Sequence, residues 1–151
     1  MRRDLSVEHF TIRKLEREDA PDIDRINGVI TKSPMNDEFK RMVEELAQSS
    51  GNMSYVAESQ GKVVGYMITY ILPAGFGIGK SAWIATVGVE PKFMGQGIGK
   101  ALAKQIFELY TEKGIKNIYT SVRWDATDML SFFKTLGFDR SNFINLRKQI
   151  E

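Results

Sequence analysis

No cysteine occurs among the 151 residues, and histidine occurs once, at His9. The first absence excludes disulfides, thiolate metal sites and a cysteine nucleophile. The second argues against a histidine-built metal centre and against a Ser-His-Asp triad, so no metal site is expected. Neither sign of charge prevails: 21 Lys and Arg against 19 Asp and Glu leave a net charge of +2. That balance gives no electrostatic footprint for nucleic acid. Long apolar runs are also missing. The longest, residues 63–72, is too short to cross a bilayer and alternates as a strand does. The start, Met1-Arg2-Arg3-Asp4-Leu5-Ser6, lacks the apolar centre of a signal peptide. The expectation is a cytoplasmic protein with neither a membrane nor a nucleic-acid partner.

What is present is an ordinary globular composition, 42% hydrophobic and 26% charged. The length suits one compact domain, residues 10–151, after a tail of residues 1–9. Residues 10–15 alternate as a first strand. Asp19 is placed to cap a helix beginning near Pro21, with Ile23, Ile26 and Ile30 as its buried stripe. After a break at residues 31–36, Asn36 or Asp37 caps a second helix carrying Phe39, Met42, Val43 and Leu46 on one face. Residues 55–59 and 62–72 read as a hairpin through Gln60-Gly61, and Gly65 marks a bulge or a close contact. A glycine-rich loop at residues 73–80 precedes a fourth strand, residues 81–89. A helix over residues 100–113 stops at Gly114. Residues 117–123 form a fifth strand, and Asp125 caps a helix whose inner face is Met129, Phe132, Phe133 and Leu136. Residues 143–150 make a terminal strand. The order β-αα-βββ-α-β-α-β is a mixed α/β (α+β) fold, with a largely antiparallel central sheet and helices on both faces.

The chemistry concentrates at residues 87–100. An apolar, β-branched strand stops at Pro91, Gly95, Gly97 and Gly99 follow at alternate positions, and a helical pattern begins. A strand, a glycine-rich turn and a helix start expose backbone N–H groups at the positive end of a helix dipole. Glycine there lets a ligand oxygen approach unobstructed. The spacing predicts a pyrophosphate-bearing cofactor on residues 94–100, although the glycines alone also suit a bare tight turn. The segment fails the dinucleotide pattern, because Lys100 or Leu102 stands where its last glycine belongs, and fails the P-loop because Ala101 follows Lys100. Residues 74–81 do satisfy a permissive P-loop pattern ending Gly79-Lys80-Ser81, but a strand, not a helix, is expected after Ser81, so a nucleotide triphosphatase is disfavoured.

Val89, Pro91, Phe93, Gly95, Gly97, Ile98 and Gly99 together resemble motif A of the GNAT superfamily of acetyl-CoA-dependent N-acetyltransferases. Met94 departs, standing where that family prefers Arg or Gln. Residues 121–138, ending Leu136-Gly137-Phe138, resemble its motif B, and the element order matches its fold. The resemblance implies acetyl-CoA as cofactor, with Val87, Gly88 and Val89 along the pantetheine arm. It implies Met94, Gly95, Gln96, Gly97, Ile98, Gly99 and Lys100 at the pyrophosphate, and Phe133 packed against cofactor or core. A backbone N–H near Val87 would serve the oxyanion. Lys134 is a weaker candidate for the 3′-phosphate. Three positions depart from motif B: Ala126 replaces the usual Asn, Phe133 the tyrosine acid, and Ser121 a strand-five Glu base. Ser81 stands where another branch has its base. Tyr119 and Ser121 are the nearest hydroxyls by sequence, on one face of the fifth strand. The implied activity is acetyl transfer to a primary amine by direct attack, the acceptor being a small molecule or peptide and a homodimer being allowed. The alternative is an acyl-CoA-binding or regulatory protein that keeps the pocket and lacks the catalytic groups.

Overall fold

The computed structural model describes residues 9–33, 36–75 and 77–151. The tail of residues 1–8, Pro34 and Met35 in the helix–helix break, and Phe76 in the glycine-rich loop lie outside the described residues. The elements are β1 (Thr11–Lys14), α1 (Ala20–Thr31), α2 (Asp37–Gln48), β2 (Tyr55–Ser59), β3 (Lys62–Leu72), β4 (Ser81–Val89), α3 (Ile98–Glu112), β5 (Ile118–Thr120) and α4 (Thr127–Thr135). Short 3-10 turns at Arg17–Asp19 and Pro91–Phe93 lead towards α1 and α3. The chain divides into two compact units, Met1–Tyr119 and Thr120–Glu151.

In the first unit the strands lie in the order β1-β2-β3-β4-β5, and β1 through β4 pair antiparallel in succession. The β2–β3 hairpin turns through Gln60 and Gly61, both left-handed at φ 51° and 79°, as a type I′ turn requires. Alternation along β3 sends its residues to two faces. Tyr66 and Ile68 join Leu15, Ala20, Ile23, Ile26, Val43 and Val56 in a core beneath α1 and α2. Each large apolar side chain buried there contributes about 1.5–3 kcal/mol. The other face meets α3. A Cβ on Gly65 would stand 2.7 Å from Ile98 Cγ2, so that glycine is a close contact that lets the start of α3 settle on the sheet. Lower down, Thr69 Oγ1 lies 2.7 Å from the Tyr110 hydroxyl, and donates to the Met53 carbonyl at 2.6 Å when Tyr110 is the donor of the first bond.

The helix starts depart from expectation in an instructive way. Asn36 caps α2 as predicted, accepting from the Glu38 and Phe39 amides at 2.9 and 3.1 Å. Asp19 occupies the N-cap position of α1 without capping it. Its carboxylate accepts two hydrogen bonds from Arg13 at 2.8 and 2.9 Å and one from the Glu16 amide at 2.8 Å, a better return for a nearly buried anion than a cap. Asp125 likewise does not cap α4, whose N-cap is Ala126. It pairs with Arg123 instead, through two contacts of 3.0 Å.

In the second unit, α4 ends at a left-handed Gly137 (φ 92°), with the Phe138 amide donating to the Phe133 carbonyl at 3.0 Å. Phe133 is 4% exposed and meets Phe132 and Phe138 edge to face, at centroid distances of 5.2 and 5.0 Å. The terminal strand expected at residues 143–150 does not form. Ile144, Leu146 and Ile150 are 80%, 84% and 84% exposed, so their alternation has no buried side to fix a register.

Candidate functional site

The site begins with a bulge. Ile68 pairs with Thr86 and Thr69 with Ile84, which leaves Ala85 as an extra residue in β4. Beyond it the ladder continues, and the Glu90 amide donates to the Val64 carbonyl at 2.8 Å. In an antiparallel pair such bonded positions alternate with positions whose N–H and C=O point away from the partner. Glu90, Gly88 and Thr86 therefore spend their backbone groups on β3, and Val89 and Val87 direct theirs to the opposite edge. β5 does not reach that far. The Ala82 amide donates to the Asn117 carbonyl at 3.1 Å and β5 ends at Thr120. Three further residues extend only about 10 Å. The outward amides of Val87 and Val89 thus lie beyond the end of β5. Val87 and Val89 are half-buried. A side chain on Gly88 would collide with the Tyr66 hydroxyl, 2.5 Å from an ideal Cβ.

After β4 the Pro91–Phe93 turn closes with the Met94 amide on the Pro91 carbonyl at 3.2 Å. That amide has a partner, so the free donors start one residue later. Gly95 and Gly97 take left-handed φ values of 82° and 83°, and an added Cβ at either would meet nothing within 4 Å. Gly97 is the N-cap of α3, without a side-chain cap, and no acidic residue stands in the first turn. Among the described residues, the amides of Gly95, Gln96, Gly97, Ile98, Gly99 and Lys100 donate to no backbone carbonyl. The Ile98 side chain is buried towards Gly65, which leaves only its amide for a ligand, and Lys100 is exposed. An open, uncapped helix start with six unspent donors suits a pyrophosphate.

The Tyr119 ring on β5 stacks on Trp83 of β4, with centroids 4.9 Å apart. Ser121 is not on that strand, because β5 stops at Thr120, so the expected shared face of Tyr119 and Ser121 is not formed. Further on, Arg123 Nε donates to Asp125 Oδ1 at 3.0 Å. Ser121 is exposed, and its hydroxyl accepts from Asn145 Nδ2 at 3.4 Å. The decoy at Gly79-Lys80-Ser81 runs into β4, so the helix a P-loop needs is absent there.

Sequence reading missed a buried polar group on α1. Asp24, between the buried Ile23 and Ile26 of α1, is 2% exposed. The Tyr66 hydroxyl has its pKa pushed up to about 12, chiefly by burial, with Thr86 opposing and the Asp24 charge adding. An acidic residue inside an otherwise apolar helical stripe was the available signal. Among the described residues no cluster of His, Asp and Glu could hold a metal ion, and no helix is long and apolar enough to cross a membrane.

A five-stranded sheet with a bulged fourth strand thus runs into an open glycine turn at the start of α3. The family model described as the Acetyltransferase (GNAT) family matches residues 12–138, and the chain belongs to that family. A mycothiol acetyltransferase from Arthrobacter sp. (strain FB24) is 30% identical over 100 residues, covering 66% of this chain and 31% of that protein. The N-alpha-acetyltransferase RimI of Mycobacterium tuberculosis is 30% identical over 66 residues, covering 44% and 38%. The match thus spans about a third of the length of these relatives. Among solved structures, an aminoglycoside acetyltransferase from an uncultured soil metagenomic sample, in complex with sisomicin, has a TM-score of 0.78 at 19% identity. That match covers 98% of this chain and 100% of the other, and it establishes likeness of fold.

Proposed function

We propose that this chain is an N-acetyltransferase that moves an acetyl group from acetyl-CoA to a primary amine in a ternary complex. The observation carrying the proposal is the row of unspent amides from Gly95 to Lys100 at an uncapped α3, in a chain of the acetyltransferase (GNAT) family. Those amides would hold the pyrophosphate, with the Lys100 ammonium adding charge. The outward groups of Val87 and Val89 would pair with the amides of the pantetheine arm, as an added strand does. Gly88 serves by lacking a side chain. Met94 borders the turn, and its side chain is 56% exposed. Acetyl-CoA supplies the thioester carbonyl that the amine attacks. The Val87 N–H is a fixed donor for negative charge building on the acetyl oxygen, a role commonly worth about 10²–10³ in rate. The Tyr119 hydroxyl is the proposed proton carrier on this side of the sheet. The roles of Ser121 and Phe133 remain expectations from the family resemblance.

The acceptor is a small molecule or peptide amine, met in the cytoplasm. The relatives named for mycothiol and aminoglycoside acetylation favour a small, polar one. Gly97→Val tests the cofactor half. Its left-handed φ makes valine cost about 1–2 kcal/mol, while the open space around it forces no clash. The expected result is a folded variant whose melting temperature acetyl-CoA no longer raises; a ligand shift equal to that of the unaltered protein would refute the site. A second reading, acyl-CoA binding without catalysis, draws on Phe133, which has no hydroxyl to give and lies buried among aromatic rings. Acetyl-CoA binding with no amine-dependent thiol release would favour it.

A further inference from the structure

We infer that Arg25 is a positioning residue for the cofactor turn: from α1 it holds Glu90, and Glu90 sets how residues 91–97 leave β4. The inference rests on the acetyltransferase reading above and adds to it a residue outside the turn itself. Glu90 is held through three of its groups. Its amide donates to the Val64 carbonyl at 2.8 Å, and its carbonyl accepts from the Phe93 amide at 2.8 Å. Its carboxylate accepts from Arg25 Nη1 at 2.8 Å. The first bond continues the β3–β4 ladder and the second closes the Pro91–Phe93 turn, so strand becomes turn at Glu90. The third comes from α1. The Glu90 side chain is 14% exposed and that of Arg25 37%, so the pair is partly screened and its worth in stability is modest. What it fixes is direction. Arg25 Nη2 is buried with no hydrogen-bond partner among the described residues, and Asp22 Oδ1 stands 3.7 Å from it. Glu90 thus supplies the hydrogen bond that orients the guanidinium. One turn earlier on α1, Asp22 accepts from the Val63 amide at 3.4 Å, so this part of the helix meets β3 and β4 at the same end of the sheet.

The far end of the turn is held as well. Ile98, the first residue of α3, is 2% exposed. It packs where Gly65 has no side chain, its Cγ2 2.7 Å from an ideal Cβ there. Val64 and Gly65 are neighbours on β3, and alternation directs them to opposite faces of the sheet. The turn is therefore clipped at both ends to one short stretch of β3, from the α1 side by Arg25 and Glu90 and from the α3 side by Ile98. Only residues 91–97 lie between the clips. Gly95 and Gly97 there have open space on their Cβ side, so this part of the turn takes its shape from its ends. Releasing Glu90 frees the entry end while Ile98 keeps α3 on the sheet. The row of amides from Gly95 to Lys100 then loses its fixed aim without loss of the fold.

The test compares Arg25→Met, Glu90→Met and the double variant of the full chain with Asn36→Ala, which loosens the start of α2 instead. Calorimetry with CoA is the first readout. The expected Kd rises about tenfold in each single variant of the pair, the order seen when a supporting contact behind a ligand site is lost. The double variant should bind CoA no more weakly than the worse single one, because both remove the same contact. In turnover with an amine the chain acetylates, the KM for acetyl-CoA should rise by the same factor. Meanwhile kcat and the KM of the amine should change less than twofold. Asn36→Ala should bind CoA as the unaltered chain does. A Kd within twofold of normal in Arg25→Met overturns the proposal. So do additive losses in the double variant, or an equal loss in Asn36→Ala, which would make the effect one of stability alone. If the methionine variants do not fold, Glu90→Gln decides, since it keeps the shape of the side chain and removes its charge. Its Kd for CoA should rise more than twofold, and an unchanged value overturns the role of Arg25. If CoA binds the unaltered chain and every variant alike, the positioning role falls and the cofactor site stands. If CoA does not raise the melting temperature of the unaltered chain, the acetyltransferase reading fails first and the role of Arg25 falls with it.

Discussion

Tyr66 ties a buried hydroxyl to the backbone of the proposed site, and its titration is readable in stability. Its folded pKa, about 12, lies above the ordinary 10.0, so folding favours the protonated phenol. The associated stability is intact below pH 10 and is lost as pH rises from 10 towards 12. Tyr110, raised in the same direction by burial, adds to the slope. Urea midpoints between pH 9 and 12 should fall less steeply for Tyr66→Phe than for the unaltered chain. Asp19 is the opposite case, a side chain whose role its sequence neighbourhood concealed. It looked like a cap and instead binds Arg13 through two bonds. Asp19→Ala should cost about 2 kcal/mol, the range for hydrogen bonds to charged groups, in urea unfolding at pH 7. A loss under half a kcal/mol would show that Glu58 holds Arg13 equally well alone.

At the scale of elements, what the sequence revealed was whatever a short window contains. The glycine turn, the helix it opens, the hairpin at Gln60-Gly61 and the Asn36 cap are set by residues within a few positions of one another, and each stands where its signal lies. Asn36→Ala should remove both amide bonds at the start of α2 and cost about 1 kcal/mol, seen as a lower melting temperature with unchanged far-UV dichroism at 20 °C. The bulge at Ala85 and the shortness of β5 were hidden, because pairing register is decided by strands distant in sequence. So was the place of Asp24, which depends on how α1 lies over β3. Residues 143–150 show the converse: an alternating pattern is a strand only when an edge and a core receive it, and Ile144 at 80% exposure has neither.

At the scale of the whole molecule, few polar links join distant parts of the first unit, and the Arg25–Glu90 pair spans 65 residues at 2.8 Å. It ties α1 to the end of β4, just ahead of the Pro91–Phe93 turn. Glu90 is 14% exposed in its side chain and Arg25 37%, so water partly screens the pair. Glu90→Gln should cost about 1 kcal/mol at low salt and less at 1 M NaCl, measured by urea unfolding in both. The missing side chain at Gly88 carries a longer consequence. The Tyr66 hydroxyl fills that space, so the two positions are free to drift only in sequence: the phenol must shrink before residue 88 can grow. A lineage that tries alanine at 88 first meets a steric barrier of about 1–3 kcal/mol, whereas the reverse path stays open. History, and not only chemistry, would then have a preferred direction through this pair.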